Sequence, residues 1–185
     1  DLENVAAVLC IFATLEITNE DWERISQVFA KVKTPYGNIF FNFLSESKNH
    51  SIKKVSRLFS IFCQRPEIVY GLDISLSFND ETMQLLDVIL QKLTFLCVLS
   101  LRMNDAEISL EHINLEVIAP RLEILTLDFS KAKLPLSIFK DIFIAMPRLT
   151  SFVLDASGIP NFDKETIQSF LDNSQNLTPQ LKLLN

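Results

Sequence analysis

The chain is expected to be an α/β solenoid, a short horseshoe in which about six repeats stack a parallel inner sheet against outer helices. Three observations predict it. An apolar triplet of the form Leu-x-x-Leu-x-Leu recurs as Leu96, Leu99, Leu101, then as Leu122, Leu125, Leu127, then as Leu149, Phe152, Leu154, with central residues 26 and 27 positions apart. Pro35, Pro66, Pro120 and Pro147 keep step with it, each five or six residues before a central triplet residue. Between triplets the apolar spacing changes from a strand period to a helical one.

Taken in order, the segment Leu2 to Leu9 reads as helix-like, and the apolar run Val5 to Leu15 as a buried helix leading into the first strand. That strand is placed at Phe12, Leu15 and Ile17, followed by a helix with Trp22, Ile25, Phe29 and Val32 on one stripe. The second strand carries Phe41 and Phe43, with Asn38 the one polar residue among the 18 template positions of six triplets. A helix striped by Ile52, Val55, Phe59 and Phe62 follows, then a strand at Val69, Leu72 and Ile74. Leu86, Ile89, Leu90 and Leu93 mark a third helix, with Asp80 as its N-terminal cap, because a short side-chain acceptor satisfies amides that the first turn leaves unpaired. After the strand at Leu99, the segment Ser109 to Ala119 is a weaker helical pattern, and Phe139, Ile142, Phe143 and Met146 give a fourth stripe after the strand at Leu125. Asp163 caps a last helix after the strand at Phe152, and Leu181, Leu183 and Leu184 suggest a seventh strand. Each proline ends a helix, since it lacks an amide hydrogen and restricts the residue before it. Neither end reads as a polar cap, so residues 1–185 are expected to form a single repeat domain, either a fragment of a longer array or one whose ends dock onto another domain or subunit.

Composition narrows the function. With 185 residues and 48% apolar content the chain can bury a full core, and three glycines with no low-complexity stretch argue against disorder. A net charge of −6 disfavours general affinity for nucleic acid or an anionic membrane. Val5 to Leu15 is too short to cross a bilayer. Three well-separated cysteines, Cys10, Cys63 and Cys97, point to a reducing compartment, so the expected location is intracellular, cytoplasmic or nuclear. Asn49-His50-Ser51 and Asn176-Leu177-Thr178 fit the glycosylation pattern but are read as incidental.

Side chains alternate across a strand, so residues between the buried triplet positions must face the other way. The central outward column is Glu16, Asn42, Asp73, Ser100, Thr126 and Val153. Thr14, Phe40, Gly71, Val98, Ile124 and Ser151 run on one side of it, and Thr18, Leu44, Ser75, Arg102, Asp128 and Asp155 on the other. Phe40 and Leu44 form an apolar spot, and Asp128 with Asp155 an acidic one beside Arg102. The expected partner-binding set is therefore Phe40, Asn42, Leu44, Asp73, Val98, Ser100, Arg102, Ile124, Thr126, Asp128, Val153 and Asp155. A protein offering an apolar anchor at one end and Lys or Arg at the other would complement it. Lys48, His50, Lys53, Lys54 and Arg57 gather on and before one outer helix, where a solvated face is the simplest reading.

Catalytic chemistry has no visible foothold. Three scattered glycines cannot build a phosphate loop, and His50 and His112 lie 62 residues apart without ligand-spaced neighbours. Cys97 and His112 fall on separate layers of one repeat, whereas a nucleophile and its base must touch. The chain is expected not to be an enzyme and to need no cofactor or metal.

These triplets, together with the turns Ala119-Pro120-Arg121-Leu122 and Met146-Pro147-Arg148-Leu149, resemble the leucine-rich repeat superfamily over nearly the whole chain. The 26 to 27 residue unit looks most like its Cys-containing class, typical of F-box substrate receptors, although cysteine is missing at most expected positions and Glu20, Glu46, Ser77, Asn104, Ser130 and Ser157 stand where that class has Asn or Cys. The resemblance implies a non-catalytic protein-binding module, with substrate recognition in a ubiquitin pathway as its preferred specific role. A structural scaffold subunit, or a ribonuclease-inhibitor-like sensor domain of an immune receptor, is the alternative.

Overall fold

The computed structural model describes residues 7–12, 18–31, 39–44, 52–76, 80–103, 115–130, 146–155 and 182–183. The chain is α/β. Seven parallel strands, β1 (Ala7–Phe12), β2 (Ile39–Leu44), β3 (Val69–Leu76), β4 (Val98–Met103), β5 (Ile124–Asp128), β6 (Ser151–Asp155) and β7 (Lys182–Leu183), form one sheet whose order follows the sequence. Parallel neighbours cannot be joined by a tight turn, so each link has to travel the length of the strand and back. Three described links contain helices: α1 (Asn19–Lys31), α2 (Ile52–Phe62) and α3 (Asp80–Lys92).

The apolar triplets set the register. Leu72, Leu99, Leu125 and Phe152 are successive Cα partners across β3 to β6, and so are Ile74, Leu101, Leu127 and Leu154. All of these are buried except Leu154, which is partly buried against the same core. The remaining triplet position is buried as well, at Val69, which opens β3, and at Leu96, Leu122 and Leu149, which precede their strands. One face of α3 closes the core from the other side with Met83, Leu86, Ile89, Leu90 and Leu93, while Val88 on the opposite face stays exposed. α1 contributes Trp22 and Phe29, and α2 contributes Phe59 and Phe62. Phe129, which the triplet pattern omits, continues the alternation of Leu125 and Leu127 one step beyond β5 and is fully buried.

The prolines act where the spacing placed them. Pro66 opens a 3-10 turn, Pro66–Ile68, leading into β3, and Pro120 sits in a similar turn, Ala119–Arg121, ahead of β5. A third 3-10 turn, Leu115–Val117, falls in the described part of the weak helical pattern between Ser109 and Ala119. Lys182 and Leu183 pair with Ser151 and Phe152, so the suggested seventh strand forms. Val32, Pro35, Phe139, Ile142, Phe143, His50, His112 and Asp163 lie outside the described residues.

The N-terminal expectation is overturned. The first strand is Ala7–Phe12, with Leu9 rather than Leu15 opposite Phe41, so the helix-like reading of Leu2 to Leu9 fails from Ala7 to Leu9, while Leu2 to Ala6 and Leu15 lie outside the described residues. Val8, Cys10 and Phe12, rather than Thr14, Glu16 and Thr18, stand opposite Phe40, Asn42 and Leu44. An unbroken apolar run of six residues has no alternation to reveal its period, and a strand inside a parallel sheet reads that way. Thr18 is also committed elsewhere. Its Oγ1 accepts the amide of Asp21 at 3.2 Å, and the Asp21 carboxylate accepts the Thr18 amide at 3.0 Å and the Thr18 hydroxyl at 2.7 Å. This reciprocal cap begins α1 and satisfies two donors the first turn would otherwise leave open.

Two outcomes follow. Leu99→Ala removes a side chain from the centre of the buried column and is expected to destabilise the fold by about 3 kcal/mol in urea unfolding, whereas Val88→Ala costs under about 0.5 kcal/mol. Hydrogen bonds from Thr18 hold the Asp21 carboxyl below its ordinary range, so its stabilising effect is present above about pH 4 and fades as the pH falls through that lowered value. The stability gap between the native chain and Asp21→Asn should therefore close on acidification. A gap that is constant from about pH 2 to pH 6 would contradict the cap.

Candidate functional site

Register that buries one set of side chains turns the alternate set outward together. Phe40, Gly71, Val98, Ile124 and Ser151 are successive partners across β2 to β6, as are Asn42, Asp73, Ser100, Thr126 and Val153, and Leu44, Ser75, Arg102, Asp128 and Asp155. The three columns predicted from alternation are thus assembled from the second strand to the sixth. Side chains of Phe40, Asn42 and Leu44 lie outside the described ones, so only their register positions are stated.

The face is not uniform. At β3 and β4 the small residues Gly71, Ser75 and Ser100 are buried, and so is Asp73. Toward β5 and β6 it opens: Val98, Thr126, Asp128, Ser151 and Val153 are half-buried, Ile124 is 37% exposed, and Asp155 is exposed. Arg102 explains part of this gradient. Its guanidinium reaches back one strand and donates to Asp73 Oδ2 at 3.3 Å, with the arginine side chain 44% and the aspartate side chain 8% exposed. The second carboxylate oxygen, Asp73 Oδ1, is buried with no hydrogen-bond partner. Asp128 Oδ1 accepts the amide of Ser130 at 3.1 Å, fixing the carboxylate over its own turn. Alternation marked these side chains as outward, but it gave no sign that Arg102 and Asp73 pair across strands.

A second polar cluster, absent from the predicted set, lies at the N-terminal ends of the strands. Cys97, Glu123 and Thr150 extend the backbone ladder one step before the strands, with Cys97 N donating to Tyr70 O, Glu123 N to Cys97 O and Thr150 N to Glu123 O, each at 2.8 Å. The Glu123 carboxylate accepts Tyr70 Oη at 3.2 Å and Arg148 Nη2 at 2.7 Å, so one side chain ties three strand entrances together. Burial, then the Glu123 charge, pushes the Tyr70 hydroxyl and the Cys97 thiol above their ordinary pKa. A neutral thiol is a poor nucleophile, and Cys97 Sγ donates to Phe95 O at 3.4 Å. Arg121, lowered in pKa by burial, gives Nη2 to the carbonyl of Leu90 in the last turn of α3, an acceptor that the helix leaves open. The signal that could have found this cluster is the shared offset of Tyr70, Cys97, Glu123 and Thr150, each two residues before a central triplet residue.

On the helical side, the Arg57 guanidinium donates to Asn19 Oδ1, joining α2 to the start of α1. That contact gives one member of the basic group around Lys53 and Lys54 a packing role. Among the described residues, no group of three or more His, Cys, Asp or Glu could hold a metal ion, and no helix is long and apolar enough to cross a membrane. No protein-family model matches the chain, and no curated protein matches it.

Because Asp73 is almost fully buried, Arg102→Ala should leave its charge unpaired and destabilise the chain by about 1–2 kcal/mol, a value reduced for the exposure of the arginine. Asp73→Asn in the same chain should recover most of that loss. A double-mutant cycle in urea checks this, and additive losses would show that the pair does not couple.

Proposed function

We propose that the chain is a non-catalytic protein-interaction module of the leucine-rich repeat type. In this reading the strand and helix units form a short curved solenoid of about six repeats, and the sheet face turned away from the helices docks a partner protein. The observation that carries it is the alignment of three outward columns over adjacent strands, apolar at Val98 and Ile124, small and polar at Ser100 and Thr126, acidic at Asp128 and Asp155. Such a surface offers an apolar edge, a small polar middle and an acidic edge without a reactive group among them, features that a partner protein with complementary anchors can match. A net charge of −6 further favours a protein over nucleic acid or an anionic membrane.

Resemblance of the triplets and Pro-Arg-Leu turns to the Cys-containing repeat class makes substrate recognition in a ubiquitin pathway our preferred specific role. Unit length fits that class only in part: from Leu9 to Phe41 is 32 positions and from Phe41 to Leu72 is 31, while the next two steps are 27 and 26.

The test is a comparison of proteins co-purifying with the intact chain and with two variants, Ile124→Arg at an exposed position of the outward face and Gln91→Trp on the exposed side of α3. Partners should be lost with Ile124→Arg and kept with Gln91→Trp, and ubiquitin-ligase adaptors among them would support the specific role. Retention by Ile124→Arg together with loss by Gln91→Trp would overturn the docking face.

A further inference from the structure

The docking reading leaves the chemistry of the partner open, and the charged groups beside the apolar positions narrow it. Arg102 is committed to the buried Asp73, and a partner that drew the guanidinium away would leave that carboxylate uncompensated. Asp128 holds the Ser130 amide, and Asp155 is engaged as well. The charges toward the C-terminal ends of these strands are therefore spent within the chain.

The N-terminal ends differ. Arg148 gives Nη2 to Glu123 Oε1 at 2.7 Å while its side chain stays 59% exposed. A guanidinium carries several donors in a planar fork, so the edge turned away from Glu123 keeps N–H groups for a second carboxylate. Glu123 is the less available of the two, with its side chain 31% exposed and both oxygens bonded, one to Arg148 and one to Tyr70.

The balance of charge agrees. Cys97 lies in the field of one carboxylate, Glu123, and of two guanidiniums, Arg148 and Arg121, so this corner is locally basic on a chain of net charge −6. Arg121 is directed to the Leu90 carbonyl, which leaves Arg148 as the guanidinium turned to solvent. Ile124 follows Glu123 in the chain and is 37% exposed, with Val98 its half-buried register partner. An apolar pair and a cation with donors to spare thus meet at one corner of the outward face.

We propose, resting on the docking reading above, that this corner receives a partner protein segment carrying an apolar side chain beside an acidic one. The apolar group covers Ile124 and Val98. The Asp or Glu takes the open edge of the Arg148 guanidinium, which then bridges two carboxylates, and Glu123 keeps both of its bonds. In an extended segment the two anchors stand within about three residues of each other.

The probe is a displayed library of random 12-residue peptides panned on the intact chain, with retained peptides then measured against variants. Enriched peptides should carry Asp or Glu within three residues of an aliphatic or aromatic residue, and lose affinity as salt is raised. They should bind Arg148→Gln and Ile124→Asp at least tenfold more weakly. Tyr70→Phe removes the other bond to Glu123 without changing charge, and affinity should stay within twofold; a tenfold loss there would mean that Arg148 acts only by holding Glu123, and overturns the inference. Peptides weakened by Ile124→Asp but lacking acidic residues, or indifferent to Arg148→Gln, overturn the inference and leave the docking reading standing. Peptides that bind Ile124→Asp as well as the native chain overturn both. A library that yields no retained peptide overturns the inference as well.

Discussion

The structure depends on keeping parallel strands in register so that Leu72, Leu99, Leu125 and Phe152 fall in one column. Each such side chain contributes about 1.5–3 kcal/mol when taken from water into the core, and a slip by one residue would exchange that column for Asp73, Ser100, Thr126 and Val153. Among the described residues no other interaction carries a comparable penalty at every unit. The outward face is a consequence of the same constraint: side chains that cannot enter the core are brought into line because those that must enter it are.

Polar contacts refine this frame. The Glu123 carboxylate between Tyr70 and Arg148 holds the entrances of β3, β5 and β6 together, and Arg121 closes the end of α3 through Leu90. Partly buried hydrogen bonds of this kind contribute about 0.5–1.5 kcal/mol each, below the apolar column, so they set geometry more than they set stability. The Arg102 to Asp73 pair is different because one partner is buried. It spends the positive charge of the face internally, which leaves the character of the open half to Asp128, Asp155 and the neighbouring apolar pair.

Much of the architecture could be read from residue spacing. Alternation over Leu96 to Met103 and Leu122 to Asp128 distinguishes the buried side from the outward one, and Pro66, Pro120 and Pro147 fall just ahead of β3, β5 and β6, so β3 to β6 and their register were legible in advance. Ala7–Phe12 was not, because six apolar residues in a row carry no phase and the polar residues that follow, Thr18 to Asp21, serve a helix cap. Phe129 was overlooked because it lies one step past the end of the triplet, though it obeys the same alternation. The positions of the outward residues were legible, but their burial gradient was not: whether Asp73 is covered depends on which way Arg102 turns from the next strand, and no local pattern encodes that choice.

The central claim is that these triplets lie side by side in a parallel sheet that follows chain order. Interstrand nuclear Overhauser effects measured on uniformly labelled protein test it most directly. The account predicts backbone contacts of the parallel type joining Leu72 with Leu99, Leu99 with Leu125 and Leu125 with Phe152. Close Hα to Hα contacts of antiparallel pairing between any two of these segments, or contacts that join them out of sequence order, would contradict it.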